Sequence, residues 1–381
     1  VGVREGYLIT TYKINSTQLF VLIFLFELGS SIIVGLGFEA NQDAWLVILL
    51  AMIGGIILFL LYESLFKQYP NLLLTEYVEK IVGKYLGKII AFMYILYFFY
   101  IAGRVLRDFG DLLITTTLSQ TPLVVINSLM VLLVVYAYYL GIEVIARTGN
   151  IFFIILTVLA SLFFIFVFID RLPQMEHLQP VLEKGWNPVL KTAFPLTLTF
   201  PFGELIVFTM IFPFLNKKEK VLKTGLFAVI FSGTVLMVTM SVILSILGPT
   251  IGKNTEFPLM EAIEKVNIAE IIQRLDPIAL GIFIIGVYFK ITLFFFAGMY
   301  GFERLFRIKK QKFFILLTGT ALLASSVFMA EGFTQHLQIG LKVVPLYVHM
   351  PFQVYIPLLL FLIMVVKRLF KQRVVPSKRS G

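Results

Sequence analysis

The chain has 381 residues, 59% of them hydrophobic and 14% charged, with a formal net charge of +10. Soluble domains carry roughly a quarter charged residues, so a water-solvated fold is excluded for most of this chain. The basic excess forms no stripe interleaved with aromatics, which argues against nucleic acid as a partner.

Ten apolar segments of bilayer length (~20 residues) follow in chain order, and the lipid bilayer is their expected solvent. Helix 1 is predicted at about 17–38, helix 2 at 45–66, helix 3 at 87–117, helix 4 at 122–140 and helix 5 at 147–169. A polar stretch, 170–191, intervenes. Helix 6 is predicted at about 195–215, helix 7 at 220–247, helix 8 at 277–306, helix 9 at 312–330 and helix 10 at 352–370. The whole chain, 1–381, reads as one transmembrane domain. Helices 1–5 lie at about 17–169, helices 6–10 at about 195–370, and 371–381 form a cytoplasmic tail. No cleavable signal peptide is visible, so helix 1 is expected to stay in the membrane. With no cysteine in the chain, a disulfide framework and thiolate metal sites are excluded. The three histidines, His177, His336 and His349, all fall in expected loops. No metal-ligand spacing is found, and no cofactor is expected.

Charge sets the expected orientation. With the N-terminus inside, 22 of the 32 Lys and Arg fall on the inner side. They include Arg4, Lys309, Lys310 and the basic tail. That excess predicts both termini in the cytoplasm. Between helices 2 and 3, and between helices 7 and 8, lie segments too polar to span. Each follows an aromatic-proline pair, Tyr69-Pro70 and Phe257-Pro258. They read Glu76-Tyr77-Val78-Glu79-Lys80-Ile81 and Glu261-Ala262-Ile263-Glu264-Lys265-Val266. Two similar amphipathic helices on opposite sides are what an inverted repeat of five plus five helices places there.

The first helix of each half is interrupted. Helix 1 contains Gly29-Ser30-Ser31, and helix 6 contains Thr199-Phe200-Pro201-Phe202-Gly203-Glu204. A broken backbone in hydrocarbon needs protein or a cavity to satisfy it, and paired breaks point to a midplane binding site. Gly and Ser in helix 1 also suit close packing alone. Pro201 and Gly203 are the stronger signal, because proline removes a donor and glycine frees the backbone. Glu27, Glu204 and Lys290 fall near mid-membrane, where ionisable residues are functional candidates. Lys290 reads either as a substitute for a bound cation or proton site, together with Glu27, or as a structural ion pair with Glu27 or Glu204. On helix 3, Tyr97 and Tyr100 are candidates for ligand contact or packing. Arg104–Asp108 and Arg107–Asp111 have i,i+4 spacing and are expected to pair locally near the outer end. On helix 8, Thr292 is a candidate hydroxyl ligand. No Ser/His or paired-Asp arrangement suggests an enzyme.

The stretch Phe200-Pro201-Phe202-Gly203-Glu204-Leu205-Ile206-Val207-Phe208 resembles the helix 6 signature of spore germination proteins, the B subunits of germinant receptors in endospore-forming bacteria. The 256–276 loop and Tyr288-Phe289-Lys290 resemble the same family. The resemblance extends over the chain in length and helix count. It implies an all-α integral membrane protein of the amino acid–polyamine–organocation superfamily, with a LeuT-type 5+5 inverted repeat and broken helices 1 and 6. It also implies a subunit that binds a small-molecule germinant, commonly an amino acid such as L-alanine, in the spore inner membrane. Such a subunit acts as a hetero-oligomer with A and C subunits to trigger germination. Carried onto this chain, the ligand-binding set is Gly29, Ser30, Ser31, Pro201, Phe202, Gly203 and Glu204, with Tyr97, Tyr100 and Thr292 as side-chain candidates. A proton-coupled amino acid symporter uses the same pocket and is the alternative; an ion channel is a further one.

Overall fold

The structure is a computed structural model that describes residues 13–268, 270, 273–308 and 311–374. Arg4, Lys309, Lys310 and 375–381, used above for orientation and the tail, lie outside the described residues. Thirteen α-helices run in chain order: α1 (Ser16–Leu28), α2 (Ala44–Gln68), α3 (Leu74–Val82), α4 (Lys84–Thr116), α5 (Leu123–Leu140), α6 (Ile142–Ile169), α7 (Trp186–Thr192), α8 (Val221–Asn254), α9 (Pro258–Glu264), α10 (Asp276–Phe306), α11 (Gln311–Phe328), α12 (Phe333–Gln338) and α13 (Ile356–Val374). Among the described residues, eight helices are long and apolar enough to cross a bilayer. The pair Lys312–Phe328 and Phe333–Val343 is apolar enough for a ninth when taken together, as a broken span or a re-entrant loop, and it bends by 102°. The apolar α1 is shorter because it stops at the expected break.

Local sequence explains most boundaries. Asn15 caps α1 through a reciprocal box with Gln18, 2.8 and 2.9 Å, which occupies two otherwise orphaned donors. Gly141, with φ 89°, joins α5 directly to α6, so the fifth span starts five residues before the predicted Arg147. The two matched amphipathic segments are both short helices, α3 and α9. The 170–191 stretch is only partly loop, since α7 and the π-helical turn Ala193–Thr197 already lead into the sixth span.

The largest departure is at the tenth span. The span is expected to begin at about Phe352, with His336 and His349 in a loop before it, but the structure is helical from Phe333 onward, with π-helical turns at Ile339–Val343 and Pro345–Tyr355. Widened turns absorb the missing proline donors. Tyr94 Oη donates to the Phe352 carbonyl at 2.8 Å, and Tyr62 Oη donates to that of Gln353 at 2.7 Å. His336 and His349 therefore sit buried in helical segments rather than in loops.

The core lies where α2, α4, α8 and α10 surround the two interrupted spans, the first of which begins with α1. α10 carries the most enclosed span, with Phe289, Ile291, Phe294 and Phe295 fully buried. At one end the chain is sealed by backbone pairing of Ile14 with Phe214 and Asn216, 3.0 Å each, and by the Arg304–Glu76 ion pair at 2.7 Å. At the other end, the 174–182 loop is held by Leu182 N–H donating to Asp43, 2.9 Å, and His177 donating to the Ser245 carbonyl, 2.8 Å.

α10 meets the helix 1 break at Gly286, where a Cβ would lie 2.9–3.1 Å from the backbone of Gly29. Gly286→Ala is expected to destabilise the detergent-purified protein by about 1–3 kcal/mol, because two backbones must part. Gly281→Ala on the same helix, facing only the mobile end of Leu159, is expected to be neutral or stabilising. Thermal unfolding of the two variants side by side checks this; equal melting temperatures would remove the close-approach argument.

Candidate functional site at the two helix breaks

The first break follows α1. Ser31 Oγ donates back to the carbonyls of Glu27 and Leu28, so its hydroxyl satisfies groups that the ending helix leaves open. Gly29 is used for space: a Cβ there would press on the Lys290 side chain, 2.7 Å from Cδ. Ser30 Oγ is buried and, among the described residues, has no hydrogen-bond partner. The second break falls at Phe200-Pro201. Beyond it the chain continues as a 3₁₀ helix, Phe202–Met210, with Glu204 N–H donating to the Pro201 carbonyl at 3.1 Å. The Phe202 side chain turns away from the break and packs against Gly55 and Gly233 of α2 and α8.

Lys290 joins the two breaks. Its stem lies against Gly29, and its Nζ is 2.5 Å from Glu204 Oε2, with both side chains buried. The ammonium also stands 4.3 Å from the ring centroid of Phe200 and 5.3 Å from that of Phe26. Two aromatic faces and a carboxylate thus replace its water shell. Of the two carboxylates considered for Lys290, Glu204 makes the ion pair. Glu27 Oε2 instead accepts from Ser232 Oγ of α8 at 2.8 Å.

Behind the second break lies a polar network. Gln353 Nε2 donates to Tyr97 Oη at 2.8 Å and lies 3.0 Å from Nδ1 of His349; Tyr97 Oη is 2.9 Å from the same nitrogen. Tyr62 Oη also contacts the Gly203 carbonyl at 3.1 Å. A Cβ on Gly203 would collide with the Gln353 amide. Gly203 therefore exists as glycine to let that amide reach the break.

A cavity of about 60 Å³ lies against Phe200 and Glu204, walled by Val34, Ile101, Arg104, Asp108, His349 and other side chains. A water needs roughly 10–15 Å³ of such space, so the chamber suits a solute of a few heavy atoms. It shares Val34, Leu196 and Phe200 with an outer chamber of about 190 Å³. The outer chamber reaches the exposed Glu39, Lys253 and Glu256.

Of the residues named from sequence, Glu204 lines the inner cavity. Lys290 is ion-paired to it, and Gly29, Ser30, Ser31, Pro201 and Gly203 form the breaks around it. Tyr97 stands behind His349. Gly29, Ser30, Ser31, Tyr97, Tyr100, Pro201, Phe202, Gly203 and Thr292 do not line either chamber; Thr292 is buried beside Tyr288. Arg107–Asp111 pair at 2.6 Å as expected. Arg104 and Asp108 instead turn to α12: Arg104 Nη2 donates to the His336 carbonyl at 2.9 Å, and Asp108 meets the His336 ring at 2.7 Å. Sequence reasoning missed Phe200, Arg104, Asp108, His349 and Gln353 as site residues. Its available signal was His349 and Gln353, polar residues at i,i+4 spacing in an apolar run.

Interrupted first and sixth spans, joined by a buried ion pair, define a membrane protein of LeuT-type fold. The fold agrees with the crystal structure of MhsT in complex with L-phenylalanine, at a TM-score of 0.67 and 14% identity, covering 93% of this chain and 89% of that one. The chain belongs to the spore germination protein family, whose sequence model matches residues 13–334. It is 38% identical to spore germination protein KB of Bacillus subtilis (strain 168), over 93% of this chain and 95% of the relative. It is 24% identical to spore germination protein B2 of the same organism, over 84% and 86%.

Lys290→Met leaves Glu204 buried without its cation and is expected to cost about 3–5 kcal/mol. Adding Glu204→Gln should recover most of that loss. Unfolding of the single and double variants in detergent tests the coupling. Additive losses would mean that the pair is not coupled.

Proposed function

We propose that this chain is the ligand-binding membrane subunit of a germinant receptor and that its germinant is an amino acid. The observation that carries the reading is the small chamber beside Phe200 and Glu204 at the second helix break, walled on another side by Val34 of the turns that follow the first. Freed carbonyls and N–H groups at such breaks suit the ammonium and carboxylate of a zwitterion. The bound state would favour one arrangement of the broken helices, and the shift in population would trigger germination. The subunit would sit in the spore inner membrane, with both termini cytoplasmic, and act with A and C subunits. In that orientation the sealed end faces the cytoplasm and the outer chamber faces away from it.

A second reading, a proton-coupled amino acid symporter, draws on Lys290. Its side chain lies where helices 1 and 8 meet, against Gly29, and would be the group that exchanges the coupled proton. Labelled amino acid uptake into proteoliposomes separates the two. Accumulation driven by a proton gradient favours the symporter; binding without accumulation favours the receptor.

Gly203→Trp is expected to displace Gln353 and abolish stabilisation by the amino acid that protects the unaltered protein. Thermal shift against a panel of amino acids, sugars and nucleosides checks both points. Undiminished ligand stabilisation of a folded Gly203→Trp protein would place the binding site elsewhere.

A further inference from the structure

Two arginines on α4, three residues apart, are held in very different ways. Arg107 is engaged through two of its nitrogens: its Nε pairs with Asp111, and its Nη1 reaches the carbonyls of Ser326, Val327 and Ala330 at 3.4, 3.0 and 3.1 Å. It fastens the end of α11 at the 102° bend. Arg104 lines the inner cavity and, among the described residues, donates to one acceptor, the His336 carbonyl. A guanidinium has five N–H donors in a planar fork, so most of its capacity is left over.

The acidic groups near Arg104 are already committed. Glu204 holds Lys290 at 2.5 Å, and Asp108 holds His336 at 2.7 Å. The remaining walls beside Arg104 are largely apolar, with Ile101, Val105, Leu337 and Leu341 among them. A cation with spare, co-planar donors in an apolar chamber is suited to a carboxylate, which it can bind with two parallel hydrogen bonds. Gly340 gives it room, since a Cβ there would overlap Nη2 of Arg104.

We propose that Arg104 anchors the ligand's carboxylate and that, in doing so, it exchanges the His336 carbonyl for the ligand. The acceptor it gives up belongs to the segment Phe333–Val343, which forms one wall of the chamber through Leu337, Gly340 and Leu341. Carboxylate binding is thereby linked to loosening of that wall from α4. The ligand class is a small amino acid with a free carboxylate. This rests on the amino-acid reading above and adds the residue that reads the acid group.

The test uses the full-length purified protein with L-alanine, L-valine and L-leucine, each alongside its carboxamide and its decarboxylated amine. In the unaltered protein the carboxamide is expected to bind about 10–100-fold more weakly than the acid, the range for losing charge-assisted hydrogen bonds. Arg104→Gln retains a donor for the His336 carbonyl, so the fold is expected to persist. It should weaken the acid by the same factor, leave the carboxamide unchanged and so erase the discrimination. Arg104→Lys should restore part of it. Hydrogen exchange of 333–343 should rise on acid binding in the unaltered protein and stay flat in Arg104→Gln. Acid-over-amide discrimination that survives in Arg104→Gln would overturn the anchor. A failure of all three amino acids on the unaltered protein, with sugars or nucleosides stabilising it, would instead overturn the amino-acid reading on which the anchor rests.

Discussion

The structure turns on one buried ion pair. Lys290 and Glu204 meet at 2.5 Å with no exposed side-chain surface on the lysine. Removing two charges from water costs several kcal/mol per ion, and the attraction offsets it only with good geometry and further partners. Those partners are the Phe200 and Phe26 rings. The pair can form because Gly29 yields space to the lysine stem and because the Pro201 break turns Glu204 inward. Each helix break is therefore tied to the other through a side chain on α10.

This arrangement explains why the surrounding polar groups are so densely used. Ending α1 at Leu28 frees carbonyls, and Ser31 takes two of them. Widening the 345–355 helix frees others, and Tyr62 and Tyr94 take those. An unsatisfied group inside the bilayer costs several kcal/mol. Hydroxyls thus stand beside the first break and the 345–355 turns. Of the tyrosines on the third span, Tyr94 serves this purpose, whereas Tyr97 belongs to the Gln353–His349 network rather than to the cavity wall.

Much of the fold was legible because the bilayer imposes strong rules on sequence. Ten apolar segments, a repeated amphipathic motif and two interruptions all correspond to observed elements. Glu27, Glu204 and Lys290 were conspicuous because charge is rare in such segments. What the chain could not announce was pairing over long separations. The i,i+4 rule foresees Arg107–Asp111 and misleads for Arg104–Asp108, since His336 supplies a tertiary partner 228 positions from Asp108. The tenth span is also expected to begin only at about Phe352, whereas π-helical turns carry the helix through Pro345 and Pro351 before it. Local rules describe an isolated helix, and they yield wherever a neighbouring helix offers a better acceptor or an extra half-turn.

The segment between the bend and α13 links these features. Arg104 and Asp108 hold its His336 end to α4, and at its far end Gln353 packs on the Gly203 turn, with Tyr62 Oη contacting the carbonyls of both residues. Between these attachments it forms a wall of the chamber, through Leu337, Gly340 and Leu341. A solute in the chamber therefore touches a segment fastened at one end to the third span and at the other to the broken sixth. Such a segment has two sets of contacts to trade against a ligand, and one of them, Gln353, abuts the turn that carries Glu204. Movement of this wall would consequently be felt at the ion pair, through packed and hydrogen-bonded side chains. On the proposed reading, that connection would let a solute in a chamber of about 60 Å³ bias the bundle of helices.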